Sequence, residues 1–338
     1  MSIQDQLILL AHGGGGRLTN DLVKDLFVSS FDNQILSKMG DSSLFNVSGT
    51  RLALTTDSFV IKPIFFPGGD IGHLAVCGTV NDLAVSGAYP LYLSAGFIIE
   101  EGFKVNDLRT IILSMKRAAD AAGVKIIAGD TKVVERGSAD GLFINTTGIG
   151  AVKEGLLSPF PINPGDAVIV NGPLGDHGIA VLSARENLPV ESEIISDAAC
   201  LNELIFSVLE TFPGKVKFMR DATRGGFATV LNEMAEGASF GVTVYEDRIP
   251  VNESVRAVCD LLGFDPLYLA NEGKIVMITE KDAQNEILKH LRKCPFGAKS
   301  EIVGEITTEN KGTVILKTTI GGGRILDMLI GDQLPRIC

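Results

Sequence analysis

Prolines and glycines divide this chain into two similar halves. Between Ser158 and Gly165 stand Pro159, Pro161 and Pro164, and a mixture of short apolar strands and amphipathic helices runs on each side of them. A chain of 338 residues has room for two ordinary domains, each with a sizeable core. Strands are often adjacent to one another instead of alternating strictly with helices. The expected fold class is therefore α+β: two mixed α/β-sandwich domains followed by a flexible tail. The expected divisions are 1–155, 156–320 and 321–338.

In the first half, QLILLA at 6–11 reads as a strand. Leu18, Leu22 and Leu26 with Val23 and Phe27 make one face of a helix. Ser43–Val47 and Arg51–Thr56 read as strands joined by a turn at Ser48-Gly49. A buried helix is expected over 70–87, a strand over Tyr89–Ile99, and a helix over Val105–Ala122 that stops at Gly123. Strands over Val124–Ala128 and Leu142–Val152 follow. In the second half, strands are expected at Ala167–Val170, Val242–Val244, Lys274–Thr279, Ile302–Ile306 and Val314–Lys317. Helices are expected at Asp176–Ala184, Asp197–Leu209, Phe227–Glu236, Glu253–Leu262 and Ala283–Arg292.

The formal charge of −11 argues against a nucleic-acid partner. No leader-like segment opens the chain and no apolar run reaches membrane-spanning length. The five cysteines, Cys77, Cys200, Cys259, Cys294 and Cys338, form no CxxC pair and no metal-ligand spacing. Cys77, Cys200 and Cys259 fall in helix-like segments as small core residues. A reduced, cytoplasmic protein is expected.

Four aspartates fall at expected strand ends or loop edges: Asp41, Asp57, Asp82 after Asn81, and Asp130 before Thr131. Carboxylates gathered from separate elements repel unless a cation sits between them, and Mg²⁺ with phosphate oxygens suits such a set. Turn and helix-start residues are the competing explanation. The run Gly13-Gly14-Gly15-Gly16, flanked by His12 and Arg17, is either a loop with open backbone N–H groups for an anion or a flexible turn. Lys132 either carries charge toward Asp130 or decorates the surface. Glu272, in Asn271-Glu272-Gly273-Lys274 between apolar runs, is a turn residue or a poised base. Asp221-Ala222-Thr223-Arg224-Gly225-Gly226 opens a helix and offers either a cap or an anion contact. Neither GxGxxG nor GxxxxGK[ST] is present. At the far end, Gly321-Gly322-Gly323 reads as a swivel, and Pro335 stiffens the tip before the terminal thiol of Cys338, with a frayed terminus that happens to end in cysteine as the competing explanation.

Together these motifs resemble the hydrogenase maturation family HypE, within the superfamily of aminoimidazole ribonucleotide synthetase. The carrying residues are His12–Gly16, Thr55–Phe59, Val80–Leu83, Ala128–Val133, Asp221–Gly226, Ala270–Lys274 and the terminal Pro335-Arg336-Ile337-Cys338. The aspartate motifs are shared across the superfamily, and the terminal PRIC is the specific one. The resemblance implies two aminoimidazole ribonucleotide synthetase-like domains. It implies ATP-dependent dehydration of an S-carboxamide on Cys338 to an S-cyanate, with Glu272 as base and Lys132 on developing charge. ATP is expected at Gly13, Gly14, Gly15, Asp57, Asn81, Asp82, Asp130 and Thr131, and Mg²⁺ at Asp41, Asp57, Asp82 and Asp130. HypF is the implied carbamoyl donor, the HypC–HypD complex the cyanide acceptor, and a homodimer the implied assembly. Another ATP-dependent kinase or synthetase of the superfamily, or a nucleotide-binding scaffold, is the alternative.

Overall fold

A computed structural model describes residues 7–158, 160–186, 188, 194–329, 334 and 336–338. After a helical turn at Leu10–Gly13, a helix runs through α1 (Arg17–Leu22), a wider segment (Val23–Val28) and α2 (Ser29–Phe31). Five strands then build the first sheet: β1 (Ser43–Val47), β2 (Thr50–Phe59), β5 (Ala88–Glu100), β6 (Lys125–Val134) and β7 (Leu142–Val152), in the order β1-β2-β7-β5-β6. A short hairpin, β3 (Phe65–Phe66) and β4 (Gly69–Asp70), leads into α3 (Ile71–Val85). Within this sheet, among the described residues, only β5 and β6 pair in parallel. That pairing requires a crossover, and α4 (Val105–Ala122) supplies it. Gly123, at φ +71°, ends α4 in the left-handed conformation that glycine adopts without steric cost.

The first sheet has one covered face and one open face. Ala53 and Phe59 on β2 are buried on the α3 side, whereas Thr56 and Ser58 between them face out. Helix α3 is apolar on nearly all sides because the first sheet and α4 pack on one flank and the second half on the other. Asp70 caps it, accepting from Gly72 N at 2.8 Å and His73 N at 3.1 Å. The open face carries Leu54, Tyr92 and Ile98, all exposed.

The second sheet holds β8 (Ala167–Val170), β9 (Val216–Asp221), β10 (Gly241–Tyr245), β11 (Ile275–Thr279), β12 (Glu301–Thr307), β13 (Val314–Lys317) and β14 (Gly323–Ile325), in the order β14-β13-β10-β12-β8-β11-β9. β8 and β11 are buried along their whole length, which is why they read as unbroken apolar runs. The helices of this half are α5 (Asp176–Glu186), α6 (Asn202–Thr211), α7 (Gly226–Ala235), α8 (Glu253–Leu262) and α9 (Gln284–Leu291). Ala84 and Val85 of α3 share a core with Leu204, Ile205, Leu209 and Ile287, so the halves are joined by apolar packing as well as by the linker.

Several expectations change. Residues 7–9 are not a strand: Leu7, Ile8 and Leu9 are exposed and pair with no neighbouring strand, and the described part of the segment ends in the Leu10–Gly13 turn. The helix expected from Asp197 starts at Asn202, because residues 197–201 form no regular structure and are instead tied to the first half through Asn81. Strand β9 lies in a stretch to which the sequence patterns assign no element. Asp57 and Asp130 sit inside strands and Asp82 inside α3, not at strand ends. Cys200 lies in that irregular 197–201 segment, and a disulfide joins it to Cys77 of α3, with Cys259, Cys294 and Cys338 outside any disulfide.

The glycine swivel is a hairpin. Gly321 turns at φ +85°, Thr318 N donates to Gly322 O at 2.9 Å, and β14 returns along β13. Pro335 and Ile330 lie outside the described residues. Leu334, Ile337 and Cys338 are buried against the body, so the described tip is docked. Among the described residues no helix is long and apolar enough to cross a membrane.

Candidate functional site

Asp57 from β2, Asp82 from α3, Asp41 just before β1 and Asp221 at the end of β9 converge where the two halves meet. Thr55 Oγ1 donates to Asp82 Oδ2 at 2.7 Å, and Thr79 Oγ1 to Asp57 Oδ2 at 3.3 Å. Burial lifts the Asp82 carboxyl well above its ordinary range, and the charges of Asp57 and Asp221 lift it further. Asp221 is raised in the same way, by burial and then by Asp41 and Asp57. Burial also raises Asp57 and Asp41, although Asp82 hydrogen-bonds to Asp57 and Arg220 opposes the rise at Asp41. Arg220 bridges Asp41 and Glu233, each at 2.5 Å. The site thus concentrates negative charge that the protein only partly offsets.

Glu272 stands beside this group. It is 4% exposed, and its Oε1 has no hydrogen-bond partner among the described residues. Burial pushes its carboxyl well up, helped by Asp221 and Asp197 and opposed by Arg224. Its loop is fastened from behind by Asp197, which accepts from Glu272 N at 3.2 Å, Gly273 N at 3.1 Å and Lys274 Nζ at 2.8 Å. Burial alone would raise Asp197, but Lys274, His177 and the bond from Glu272 N together outweigh it and the carboxyl stays low. Asn271 is a staple, its side chain bonding Gly175 N, Ala222 O and Leu269 O.

The glycine run lies against the Asp221–Gly226 loop. Arg224 Nη1 donates to Gly13 O at 2.9 Å, and Gly15 N donates to Thr19 Oγ1 at 3.0 Å. At Gly15, φ is +79° and an added Cβ would stand 2.7 Å from Arg224 Cβ, so glycine is required for the approach. Arg224 also acts on Asp57 and Glu272, which brings the glycine loop into the same neighbourhood. His12 and Arg17 have other occupations. His12 Nδ1 accepts from Leu9 N at 3.0 Å, and Arg17 pairs with Asp327 at 2.9 Å.

Not every expected residue joins the group. Asn81 is buried with both ends of its amide on backbone, donating to Ala199 O at 3.0 Å and accepting from Leu201 N at 2.7 Å. It clamps α3 to the irregular 197–201 segment. Asp130, Thr131 and Lys132 lie on the exposed edge strand β6. Ser58, Asn145, Gly96 and Asp130 are register partners across β2, β7, β5 and β6, which places Asp130 on the open face. Asp57 faces the helices, so Asp130 points away from it and is three strand spacings, about 14 Å, removed. Lys132 Nζ pairs with Asp130 there at 2.9 Å. One copy of the chain therefore unites Asp41, Asp57 and Asp82 with Asp221, and leaves Asp130 and Lys132 apart.

The group is rich in hard oxygen donors and short of positive charge, which fits a divalent cation such as magnesium. Among the described residues no three carboxylate, histidine or cysteine side chains are already drawn together at ligating distance.

Cys338 is 8% exposed. Its main-chain oxygen accepts from Val60 N at 3.0 Å, and the Arg336 carbonyl accepts from Lys62 N at 3.3 Å. Arg336 reaches Val60 O at 3.0 Å and Asp140 at 2.5 Å. The tip thus docks on the chain just past β2, the strand that carries Asp57. Sequence patterns gave no sign of Asp197 or His177 as neighbours of the tail and the Glu272 loop. The one available hint was that His177 is one of only four histidines.

Two family descriptions match: AIR synthase related protein, N-terminal domain, over residues 39–152, and its C-terminal domain over 163–317. The chain is 49% identical to the carbamoyl dehydratase HypE of Bradyrhizobium diazoefficiens, over 100% of this chain and 98% of that protein. A HypE–HypF complex superposes with TM-score 0.85 at 47% identity, covering 91% of this chain and 99% of that one. HypE in complex with ATP superposes with TM-score 0.81 at 46% identity, covering 98% and 100%.

Proposed function

The chain belongs to the AIR synthase related family and, within it, to the HypE carbamoyl dehydratases of hydrogenase maturation, and from that premise we propose that it uses ATP to dehydrate a carboxamide carried on its own Cys338. Cyanide ligands for [NiFe] hydrogenases are the product's destination. The observation that carries this reading is Glu272: a buried, raised carboxyl with an unengaged oxygen, set beside a cluster of aspartates at the junction of the halves.

The chemistry balances in two steps. In the first, the carboxamide oxygen attacks the γ-phosphorus of ATP. A new O–P bond forms, the bond to ADP breaks, and one N–H proton leaves. In the second, the C–O bond breaks, phosphate departs with its electron pair, the second N–H proton leaves, and S–C≡N remains. Phosphorylation turns a poor leaving group into a good one. Glu272 takes a proton from nitrogen, a task for which a raised pKa suits it. The glycine loop and Arg224 face the phosphates. Asp57, Asp82, Asp221 and Asp41 would hold magnesium, which offsets phosphate charge when bound.

Residues 1–155 serve as the ATP-binding and dimerisation domain, 156–320 as the second domain, and 321–338 as the carrier of the thiol. Lys132 and Asp130 act from a second copy whose open sheet face covers this one in a homodimer, with Lys132 on developing phosphate or oxyanion charge. The exposed apolar residues of that face support such pairing. HypF is the carbamoyl donor and the HypC–HypD complex the acceptor, in the cytoplasm. Docked Cys338 is buried, so it must leave its pocket to meet either.

The test is intact-mass measurement of the protein carbamoylated by HypF, before and after ATP and magnesium. Loss of one water from the Cys338 adduct, dependent on ATP, is expected. ATP turnover that ignores the state of Cys338 would instead favour a different kinase or synthetase activity.

A further inference from the structure

We infer that His177 seats the C-terminal tail, its imidazole joining the peptide carbonyl next to Cys338 to the segment that fastens the Glu272 loop. The inference rests on the proposed role of Cys338 for its meaning, but not for its test.

His177 is the second residue of α5 and is wholly buried, edge-on to the ring of Phe66 with centroids 5.4 Å apart. Its Nε2 lies 2.7 Å from the carbonyl of Ile337, and its Nδ1 lies 2.8 Å from Ser196 Oγ. A carbonyl oxygen only accepts, so Nε2 carries the proton. In the neutral ring Nδ1 then accepts, and the Ser196 hydroxyl donates to it. Burial lowers the pKa of His177 and so favours that neutral form. Ser196 Oγ also accepts from Ala198 N at 3.1 Å, which fixes the hydroxyl. One tautomer and one ring orientation satisfy every group.

The tail's main-chain oxygens divide between two sides. Those of Arg336 and Cys338 are met by Lys62 N and Val60 N, with Arg185 Nη2 also on Arg336 O at 2.8 Å. That of Ile337 is met by His177. Arg336 sits at φ +56°, a left-handed conformation that a non-glycine residue holds only where surrounding contacts impose it. The contacts of the Arg336 side chain are partly open to water, where they can be exchanged for solvent. The bond to His177 is fully buried. Its loss strands a carbonyl and a ring nitrogen away from water.

Behind the ring, Ser196 is followed by Asp197, the residue that holds Glu272 N, Gly273 N and Lys274 Nζ. A single run of contacts therefore joins the docked tail to the backbone of the proposed base. His177 is a positioning residue: it acts by placing Cys338 and meets no reacting atom in this arrangement.

The experiment is alkylation of the full-length protein by iodoacetamide without ATP or carbamoyl donor, followed by mass analysis of the peptides bearing Cys259, Cys294 and Cys338. Because no dehydration is involved, a chain that proved inactive would still report on docking. His177→Ala is expected to label Cys338 about tenfold faster, the loss of one buried hydrogen bond. Buried Cys259 should stay protected and half-buried Cys294 unchanged. His177→Gln, which keeps an N–H donor, should return Cys338 to within about threefold of the parent rate. Ser196→Ala keeps the ring in the core and should also speed Cys338 labelling, which carries the test if His177→Ala does not fold. Unchanged Cys338 labelling in Ser196→Ala and in any folded His177→Ala, or an equal rise at Cys259, would overturn the inference.

Discussion

The peptide N–H of Glu272 donates to Asp197 Oδ1 at 3.2 Å, so the loop bearing the proposed base hangs from a carboxylate in a segment without regular structure. The next N–H, of Gly273, reaches the other Asp197 oxygen at 3.1 Å, and an added Cβ on Gly273 would strike the Asp197 carbonyl. The base is thus held by its backbone while its own Oε1 stays unengaged among the described residues. That combination, a fixed main chain and an unspent carboxylate, suits a group that must accept a proton at one place.

We predict that Glu272→Gln accepts the carbamoyl group and binds ATP as the parent does, but dehydrates about 10²–10⁴-fold more slowly. Single-turnover loss of water from the tail peptide measures it. A Gln variant at the parental rate would remove Glu272 from the mechanism.

Gly273→Ala is predicted to destabilise the fold by about 1–3 kcal/mol, the usual cost of forcing an atom into a packed site. Urea unfolding measures the change. Unaltered stability would mean that the Asp197 segment gives way easily.

Burial of the aspartates, reinforced by repulsion among them, predicts a pH dependence. Asp82 and Asp221 have folded-state pKa values above the ordinary 3.8, so the folded state binds more protons than the unfolded one in that window. Stability should then fall as pH rises from about 3.8 through the raised values. Asp82→Asn should lessen that fall, and magnesium with ATP should counter it in the parent. Denaturant melts from pH 4 to 8 with chelator, on both proteins, supply the comparison. Parallel profiles would deny the repulsion.

Lys132→Ala is predicted to leave the melting temperature of the isolated chain unchanged, since its pairing with Asp130 is exposed. If a second copy covers the open face, the same variant should lose dehydration rate and weaken the dimer. Sedimentation and single-turnover assays read the two effects. Full activity in this variant would leave Lys132 as surface decoration.

Cys338→Ala should take up no carbamoyl group from the donor while retaining its fold by circular dichroism. An undiminished adduct in intact mass would place the acceptor elsewhere.

Local chemistry was legible in the sequence wherever it acts over a few residues. The periodicity of Val105–Ala122 with Gly123 behind it marks α4 to the residue, and Glu253–Leu262 does the same for α8. The glycine run, the aspartates and the Asn271–Lys274 knot were visible as polar interruptions of apolar segments. Their partners were not, because pairing depends on how β2, α3, β9 and the 271–274 loop meet. The strand at 6–11 failed for a related reason: apolar composition makes a strand only where a neighbour offers its hydrogen bonds, and Leu7 to Leu9 have none. Alternation along a strand likewise tells that two faces exist, not which is covered. Only the register across β2, β7, β5 and β6 sets Asp57 under the helices and Asp130 on the open face. The sequence by itself determined the two α+β halves, the terminal thiol and the supply of carboxylates, since each follows from residue type and short-range spacing. The tertiary structure decided which carboxylates meet, that Glu272 is buried with its Oε1 unengaged among the described residues, and that the tail rests on His177. Those facts arise from contacts between residues far apart in the chain, where burial and proximity, not local order, fix the charge each group can hold.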